Sequence, residues 1–512
     1  MLRKITPSLK TNLISQLVLA FVSAFLLVLC YPNFNLGFLA WIALIPLFFA
    51  IENKKSKTRF FTGYLFGIIF FAGILYWLAN VTVPGTIATV LILAFLPAIF
   101  CLLASPSIAS RPGSVVFLPC AWVLTEYLRT YIFSGFPWAL LGYSQSPNLP
   151  VIQIADITGP YGVSFLIVLV NVGIYLALRR KPKRFYILFF ITVLFALVLV
   201  YGDNRIKRAY PAKLLKVAVI QGNIPQEMKW DPRYREFILN KYKMLTQVAL
   251  KESPGLVVWP ETAVPGYLDE PDLEKQITNL AKSGNAYLLV GTLKEVGSKV
   301  FNSATLISNK GEILKSYNKI HLVPFGEFIP FEKAFLWMRG VIDKPIGNFA
   351  RGNEFTVFKF NLEKVTRTTS KIQKSMEFHS FSTLVCFEDI FPDLCRKFVK
   401  KGARFLVNIT NDAWFGKSPA LYQHAQGSVF RAVENRVPVI RAANTGFSCI
   451  IDHRGKILKS VKVGEDEISV DGYAVEVIMP TFIKTIYTRF GDVFSWLCIA
   501  YVLLGLWRRR RP

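Results

Sequence analysis

The chain has 512 residues, 53% of them hydrophobic and 14% aromatic, with 18% charged and a mean hydropathy of +0.39. That length excludes a single small soluble domain, and that apolar content excludes a disordered chain. The net charge of +27 raises nucleic acid as a partner, but many of the basic residues cluster at the ends of apolar runs, where they serve another purpose.

A run needs roughly 17 to 25 residues to cross a ~30 Å hydrocarbon core. Seven candidates precede residue 203, at 13–30, 37–51, 60–79, 85–104, 115–133, 161–178 and 185–202, and an eighth, 490–507, closes the chain. The first is too long for the apolar core of a secretory signal, and no small-residue cleavage site follows it. Leu29 before Cys30 argues against lipoprotein processing, so an uncleaved helix is expected. With the N-terminus inside, the inner segments collect Arg3, Lys4 and Lys10, then Lys54, Lys55, Lys57 and Arg59, Arg111, a cluster over 179–184, and Arg508 to Arg511. The short outer connections at 31–36, 80–84 and 134–160 hold no Lys or Arg. The positive-inside rule therefore places 203–488 outside and both termini in the cytoplasm. Three parts are expected: a membrane domain over 1–202, an extracytoplasmic domain over 203–488, and a closing helix with a basic tail over 489–512. Glu126 and Arg129 stand out as ionisable residues inside a run. Their i, i+3 spacing allows a mutual structural pair or a lipid-headgroup contact. The remaining positive excess suits anionic lipid headgroups rather than nucleic acid.

The outer part opens with a strand at Leu215 to Gln221, followed by a helix over Arg235 to Glu252. Further buried strands are expected at Leu256 to Trp259, Tyr287 to Gly291, Ser382 to Val385, Phe405 to Ile409 and Val437 to Ala442. Strands alternating with helices indicate an α/β sandwich. Seven cysteines are too few and too scattered for a disulfide scaffold, and the three in this part leave at least one free thiol. His321, His379, His424 and His453 are too dispersed for a metal motif, and no glycine-rich phosphate loop occurs, so neither metal nor cofactor is expected.

Three connections carry unusual residues. In VVWPETAVP, Glu261 ends an apolar strand, and a desolvated carboxylate there is a usable general base. In YNKIHLVPFGEFIP, Lys319 and Glu327 flank a Pro-Phe-Gly turn. In STLVCFEDIFP, Cys386 follows an apolar strand and precedes a helix expected near Phe391, whose N-terminus would favour a thiolate. Taken singly, each has a plainer reading: a solvated loop carboxylate, a strand-edge lysine, an inert core cysteine.

Taken together they resemble the nitrilase superfamily, whose signature is a Glu, a Lys and a Cys from three such strand ends. The segment Gln221 to Pro225 with Lys229 and Trp230, the LVPFGE stretch, and Phe136-Pro137-Trp138 with Gly142-Tyr143-Ser144-Gln145 resemble the bacterial apolipoprotein N-acyltransferases. That resemblance implies an integral membrane multi-helix bundle joined to an α-β-β-α sandwich. It implies Glu261 as general base, Lys319 as the triad lysine, Cys386 as nucleophile and Glu327 as a second essential carboxylate. Trp230 and Glu388 match supporting positions. Phe387 stands where the family often has tyrosine, so a packing role survives there and a hydroxyl role does not. The implied reaction takes an acyl chain from a phospholipid, holds it as a thioester and passes it to the α-amino group of a diacylglyceryl-modified apolipoprotein. The implied setting is the bacterial inner membrane, with the enzyme as a monomer.

Two other readings compete: an amidase whose acyl-enzyme is resolved by water, and a transporter with an outer domain. Finally, FIPFEKAFLWM, over Phe328 to Met338, places Phe335, Leu336 and Trp337 directly after Glu327. This apolar cluster is read as a lipid-access arm against the bilayer, or alternatively as a core helix.

Overall fold

The computed structural model describes residues 12–104, 114–180, 184–211, 213–329, 348–367 and 372–510. Phe335, Leu336 and Trp337 lie outside the described residues.

Among the described residues, four helices are long and apolar enough to cross a membrane: Ser56–Asn80, Val83–Leu103, Pro160–Leu178 and Arg184–Lys207. Pro160–Leu178, with 19 residues, spans about 28 Å at ~1.5 Å per residue. Leu13–Val28 and Val493–Arg508 are shorter apolar helices. Ser114–Tyr131 carries Glu126 and Arg129. The 37–51 run is not one continuous α-helix. It forms a 3-10 turn, Gly37–Trp41, and then a seven-residue helix, Ile45–Ile51, with Pro46 in its first turn, where the missing N–H costs nothing. The helix expected to end at 202 continues to Lys207.

Glu126 and Arg129 both grip the turn at residues 139–141. Glu126 Oε1 accepts from Leu141 N at 2.7 Å and from Trp122 Nε1 at 3.0 Å, and Arg129 Nη2 donates to Ala139 O at 3.2 Å.

Beyond the first helices, twelve strands are found among the described residues. They are β1 (Leu215–Gln221), β2 (Leu256–Val258), β3 (Tyr287–Val296), β4 (Lys299–Ile307), β5 (Ile313–Asn318), β6 (Phe358–Arg367), β7 (Ile372–Val385), β8 (Leu406–Thr410), β9 (Val439–Ala443), β10 (Cys449–Ile451), β11 (Ile457–Ser460) and β12 (Gly472–Ile478). Two six-stranded sheets result, in the orders β12-β1-β2-β3-β4-β5 and β11-β10-β9-β8-β7-β6. Successive residues on a strand face opposite ways, and β1 uses both faces. Val217 and Val219 enter the core between the sheets with Phe381, Leu384 and Val407. Ala218 and Ile220 pack instead with Ile238 and Tyr242 of the Arg235–Leu250 helix and with Ile277 of the Pro271–Ser283 helix. Cys395 and Phe398 of the Pro392–Lys400 helix and Phe430 and Val433 of the Ala420–Asn435 helix close the core of the second sheet. The layers are therefore helix, sheet, sheet, helix.

In each sheet the central three strands are parallel, β1-β2-β3 and β7-β8-β9. Their C-terminal ends are where an α/β sheet presents a ligand crevice, and β2, β7 and β8 end just before Glu261, Cys386 and Asn411.

Buried polar contacts fasten this sandwich to the helices. Trp77 and Trp138 both donate their indole N–H to Gln423 Oε1, at 3.1 and 2.9 Å. Asp156 accepts from Arg436 Nε at 3.0 Å, Arg205 Nε at 2.8 Å and Tyr201 at 2.7 Å. Asp156→Ala strands the fully buried Arg436 guanidinium. Removing one partner of such a pair costs about 3–5 kcal/mol, so the thermal midpoint of the detergent-purified protein should fall clearly. Asp156→Asn, which keeps an acceptor, should fall less; an unchanged midpoint in the Ala variant would show that the contact does not hold the two parts together.

Candidate active site

Glu261 follows β2 through Trp259 and Pro260 and is buried. Its Oε1 accepts from Asn302 Nδ2 at 2.7 Å and lies 3.8 Å from Lys319 Nζ, while Oε2 accepts from the Asn411 main-chain N–H at 2.7 Å. Neither oxygen is left to rotate.

Lys319 follows β5, with 1% of its surface exposed. Its Nζ donates to Glu327 Oε1 at 3.0 Å and lies 2.9 Å from Oε2. Asn302 Nδ2 also donates to Glu327 Oε1 at 3.0 Å, so one amide bridges both carboxylates. Burial opposes the lysine's charge, but Glu327, Cys386 and Glu261 outweigh it and raise its pKa above the ordinary value. Lys319 is thus a fixed ammonium.

Cys386 ends β7 in a left-handed backbone conformation, φ +55°. A non-glycine residue there costs of order 1–3 kcal/mol and persists only where its surroundings over-determine it. Asn408 supplies part of that constraint by donating Nδ2 to Cys386 O at 2.7 Å. The expected helix N-terminus does not reach the thiol. Cys386–Ile390 forms a 3-10 turn, and the helix begins at Pro392. Burial first, and then the Glu261 charge, raise the thiol's pKa, against the pull of Lys319. Cys386 therefore rests as a thiol, and attack by its sulfur would need an adjacent proton acceptor.

The supporting residues separate by role. Glu388 is wholly buried and accepts from Tyr317 OH at 2.9 Å, Ile320 N at 2.8 Å, His321 N at 2.9 Å and Val385 N at 2.7 Å. It braces the strand end of Lys319 against that of Cys386. Burial pushes its pKa up to about 7 despite those donors. Phe387 lies under the lysine, 5.6 Å from Nζ to ring centroid, and edge-on to His321 and Phe391. This packing needs no hydroxyl. Trp230 is 52% exposed at the end of a short turn. Glu126 and Arg129 hold the 139–141 turn rather than joining the triad.

Sequence reasoning misses Asn302, Asn411 and Asn408, and it names Lys229 with Trp230 only as part of a motif, without a role. Lys229 is buried and donates to the main-chain oxygen of Glu261 at 2.7 Å. Burial of that lysine has no signal in the spacing. Among the described residues no group of three or more His, Cys, Asp or Glu could hold a metal ion.

With this geometry stand two family matches. Residues 23–173 match the family described as apolipoprotein N-acyltransferase N-terminal domain, and residues 216–476 match carbon-nitrogen hydrolase. The apolipoprotein N-acyltransferase of Geobacter metallireducens is 38% identical over 506 residues, covering 94% of this chain and 93% of the relative. That of Allorhizobium ampelinum is 32% identical over 481 residues, covering 89% and 87%. The chain belongs to the apolipoprotein N-acyltransferase family. A solved structure of an amidase from Nesterenkonia, of the nitrilase superfamily, is 17% identical, with 55% of this chain and 97% of that chain covered at a TM-score of 0.38.

Family membership leaves the position of the carboxylate to local packing, and Gly291 on β3 controls it. A Cβ there would lie 2.2 Å from Pro260 O, 2.6 Å from Thr262 N and 2.7 Å from Glu261 Cα. Gly291→Ala must push the Glu261 bend away. Displacements near 1 Å can cost about 100-fold, so acylation should fall on that order with Cys386 still present to thiol reagents. Normal acylation by the variant would show that the bend tolerates movement.

Proposed function

We propose that the chain transfers a fatty acyl group from a membrane phospholipid, through a thioester on Cys386, to the α-amino group of a lipoprotein precursor's N-terminal diacylglyceryl-cysteine. The observation that carries this reading is a half-buried Cys386, its thiol pKa raised by desolvation and by Glu261, sharing one site with a Glu261 carboxylate held at both oxygens and a fixed Lys319 ammonium.

In the first half-reaction Glu261 takes the thiol proton as sulfur attacks the ester carbonyl. Lys319 stabilises the tetrahedral oxyanion, and Glu327 holds Lys319 for that task. The C–O bond breaks, the lysophospholipid leaves with the proton from Glu261, and Cys386 keeps the acyl group. In the second, a neutral α-amine, of ordinary pKa about 7.7–8.0, attacks the thioester. Glu261 takes its proton and returns it to the departing sulfur.

All the triad groups come from one chain, which supports action as a monomer. The basic inner segments support a bacterial inner-membrane location with the catalytic part on the outer face and both termini inside. The division at about 203 and 488 belongs to the same reading.

Intact-mass measurement after incubation with a defined phospholipid tests it. The mass should rise by one acyl chain and return on adding a diacylglyceryl-cysteinyl peptide, which gains that chain as an amide. Cys386→Ala should show neither step, whereas Cys395→Ala and Cys449→Ala, altering buried core thiols, should keep both. Free fatty acid without acylated peptide would establish hydrolysis instead.

A further inference from the structure

Two lysines are buried beside the nucleophile, and the mechanism uses one. Lys229 ends the short Gln226–Lys229 turn, with 6% of its surface exposed. Its Nζ donates to Glu261 O at 2.7 Å, and an ammonium has two further donors. The Glu261 main chain needs such a hold. Thr262, next in sequence, sits at φ +45°, a left-handed conformation that a β-branched residue rarely adopts. β3 presses the bend from the opposite side at Gly291. Gln226, at the start of the same turn, accepts from Asn411 Nδ2 at 2.8 Å, and the Asn411 main chain holds Glu261 Oε2. One turn therefore reaches both the backbone and the carboxylate contacts of Glu261.

The charges point the same way. Lys319 is committed to Glu327 and Glu261. The groups acting on Lys229 are Glu261 and Cys386, and those acting on Cys386 include Glu261, Lys319 and Asp412. With Glu261 and Glu327 ionised, Lys319 alone leaves this group one negative charge in excess. Lys229 supplies a second positive charge against Glu261 and Cys386, and Glu388, which also acts on Lys319, adds further negative charge as it ionises near pH 7.

We infer that Lys229 is a positioning residue for the transfer reaction: as an ammonium it fixes the Glu261 bend and supplies the second positive charge against which Cys386 is deprotonated. This rests on the proposed roles of Glu261 and Cys386. Burial lowers its pKa from the ordinary 10.5 to about 8, with Glu261 and then Cys386 resisting the shift. The charge is consequently lost within an accessible pH range, whereas Lys319 is raised and keeps its own. Above about pH 8 thioester formation should decline as Lys229 deprotonates. The stability effect of the same lysine has the opposite sign. The folded chain releases this proton near pH 8 and the unfolded chain near 10.5, so its contribution to stability rises across that interval. Loss of rate by this route is therefore separable from unfolding.

The experiment follows single-turnover thioester formation on Cys386 of the full-length protein in detergent with phospholipid, from pH 6 to 10. This half-reaction needs no amine, so acceptor titration does not enter. Wild type should show an alkaline decline centred near pH 8. Lys229→Arg should form thioester and move that decline upward, because guanidinium keeps its charge. Lys229→Met should be slower by about 10- to 100-fold at pH 7 and lack the decline. Circular dichroism and thermal midpoints at each pH establish folding. If Lys229→Arg does not fold, the Met profile decides. A Met variant with wild-type rate, or one that keeps the decline near pH 8, overturns the inference. Absence of thioester in wild type overturns the reaction reading itself, so the two failures are distinct.

Discussion

A fully buried cluster of four charged groups lies behind Cys386, and the reactive loop depends on it. Asp389 and Asp412 bring two negative charges, Arg441 brings one positive, and His424 stands between the carboxylates, 2.8 Å from Asp389 Oδ1 and 3.0 Å from Asp412 Oδ1. A buried group of this size is tolerable only when paired and close to neutral, which requires His424 to be protonated. The carboxylates raise its pKa against burial and Arg441. The ring nitrogens face one carboxylate each, and Arg441 Nη2 donates to Asp412 Oδ2 at 2.8 Å and lies 2.7 Å from His424 Nδ1. Arg441 Nη1 donates to Asp389 Oδ2 at 3.1 Å and also leads to Cys386: it donates to Asn408 Oδ1 at 2.9 Å, and Asn408 Nδ2 donates to Cys386 O. The left-handed Cys386 is thereby held from behind by a network with no cheap alternative arrangement.

The site itself obeys the same rule of charge. Two carboxylates, Glu261 and Glu327, share the Lys319 ammonium, and Lys229 holds the main-chain oxygen of Glu261. In the proposed reaction, proton transfer from Cys386 to Glu261 creates one anion and removes another, so the site would react without changing its total charge. A preformed thiolate would add an uncompensated charge in the same volume, and the raised thiol pKa expresses that cost. On those proposed roles, Cys386 needs a base within its own site rather than a helix dipole at a distance.

How far the sequence could be read follows from what each residue's neighbours supply. β1, β2, β8 and β9 are almost entirely buried, so they appear as uninterrupted apolar runs; Glu261 lies just beyond β2 and Cys386 just beyond the buried end of β7, whereas Lys319 follows β5. β5 and β11 are largely exposed and leave no such trace. The helix expected near Phe391 begins at Pro392, whose place in the first turn marks the boundary, and the Cys386–Ile390 turn separates its dipole from the thiol. Asn302, Asn408 and Asn411 matter because strands distant in sequence bring their amides onto carboxylates and a carbonyl, and nothing local distinguishes them from turn asparagines. His424 was read only against metal-ligand spacing, whereas its partners are two aspartates on other segments.

The helical part and the candidate site meet in the loop after the Ser114–Tyr131 helix. Gly135, at φ +75°, makes a turn in which a Cβ would fall 2.0 Å from Thr130 O. That turn presents Ser134 O to His321 Nε2 at 2.9 Å, and the His321 main chain is held by the Glu388 brace. Three residues beyond Gly135, the Trp138 ring lies 5.2 Å from that of His424, and its N–H is bound by the preceding residue, Gln423. The loop thus touches both supports of Cys386, the brace on the lysine side and the charged cluster behind. Its far end is gripped by Glu126 and Arg129 within the helices. Two ionisable residues buried in an apolar bundle are expensive, and here their contacts set the height and direction of the loop on which both supports rest. The reactive geometry is therefore a property of the whole chain, with the bundle fixing the loop, the loop fixing the two supports, and the supports holding a strained cysteine in reach of its base.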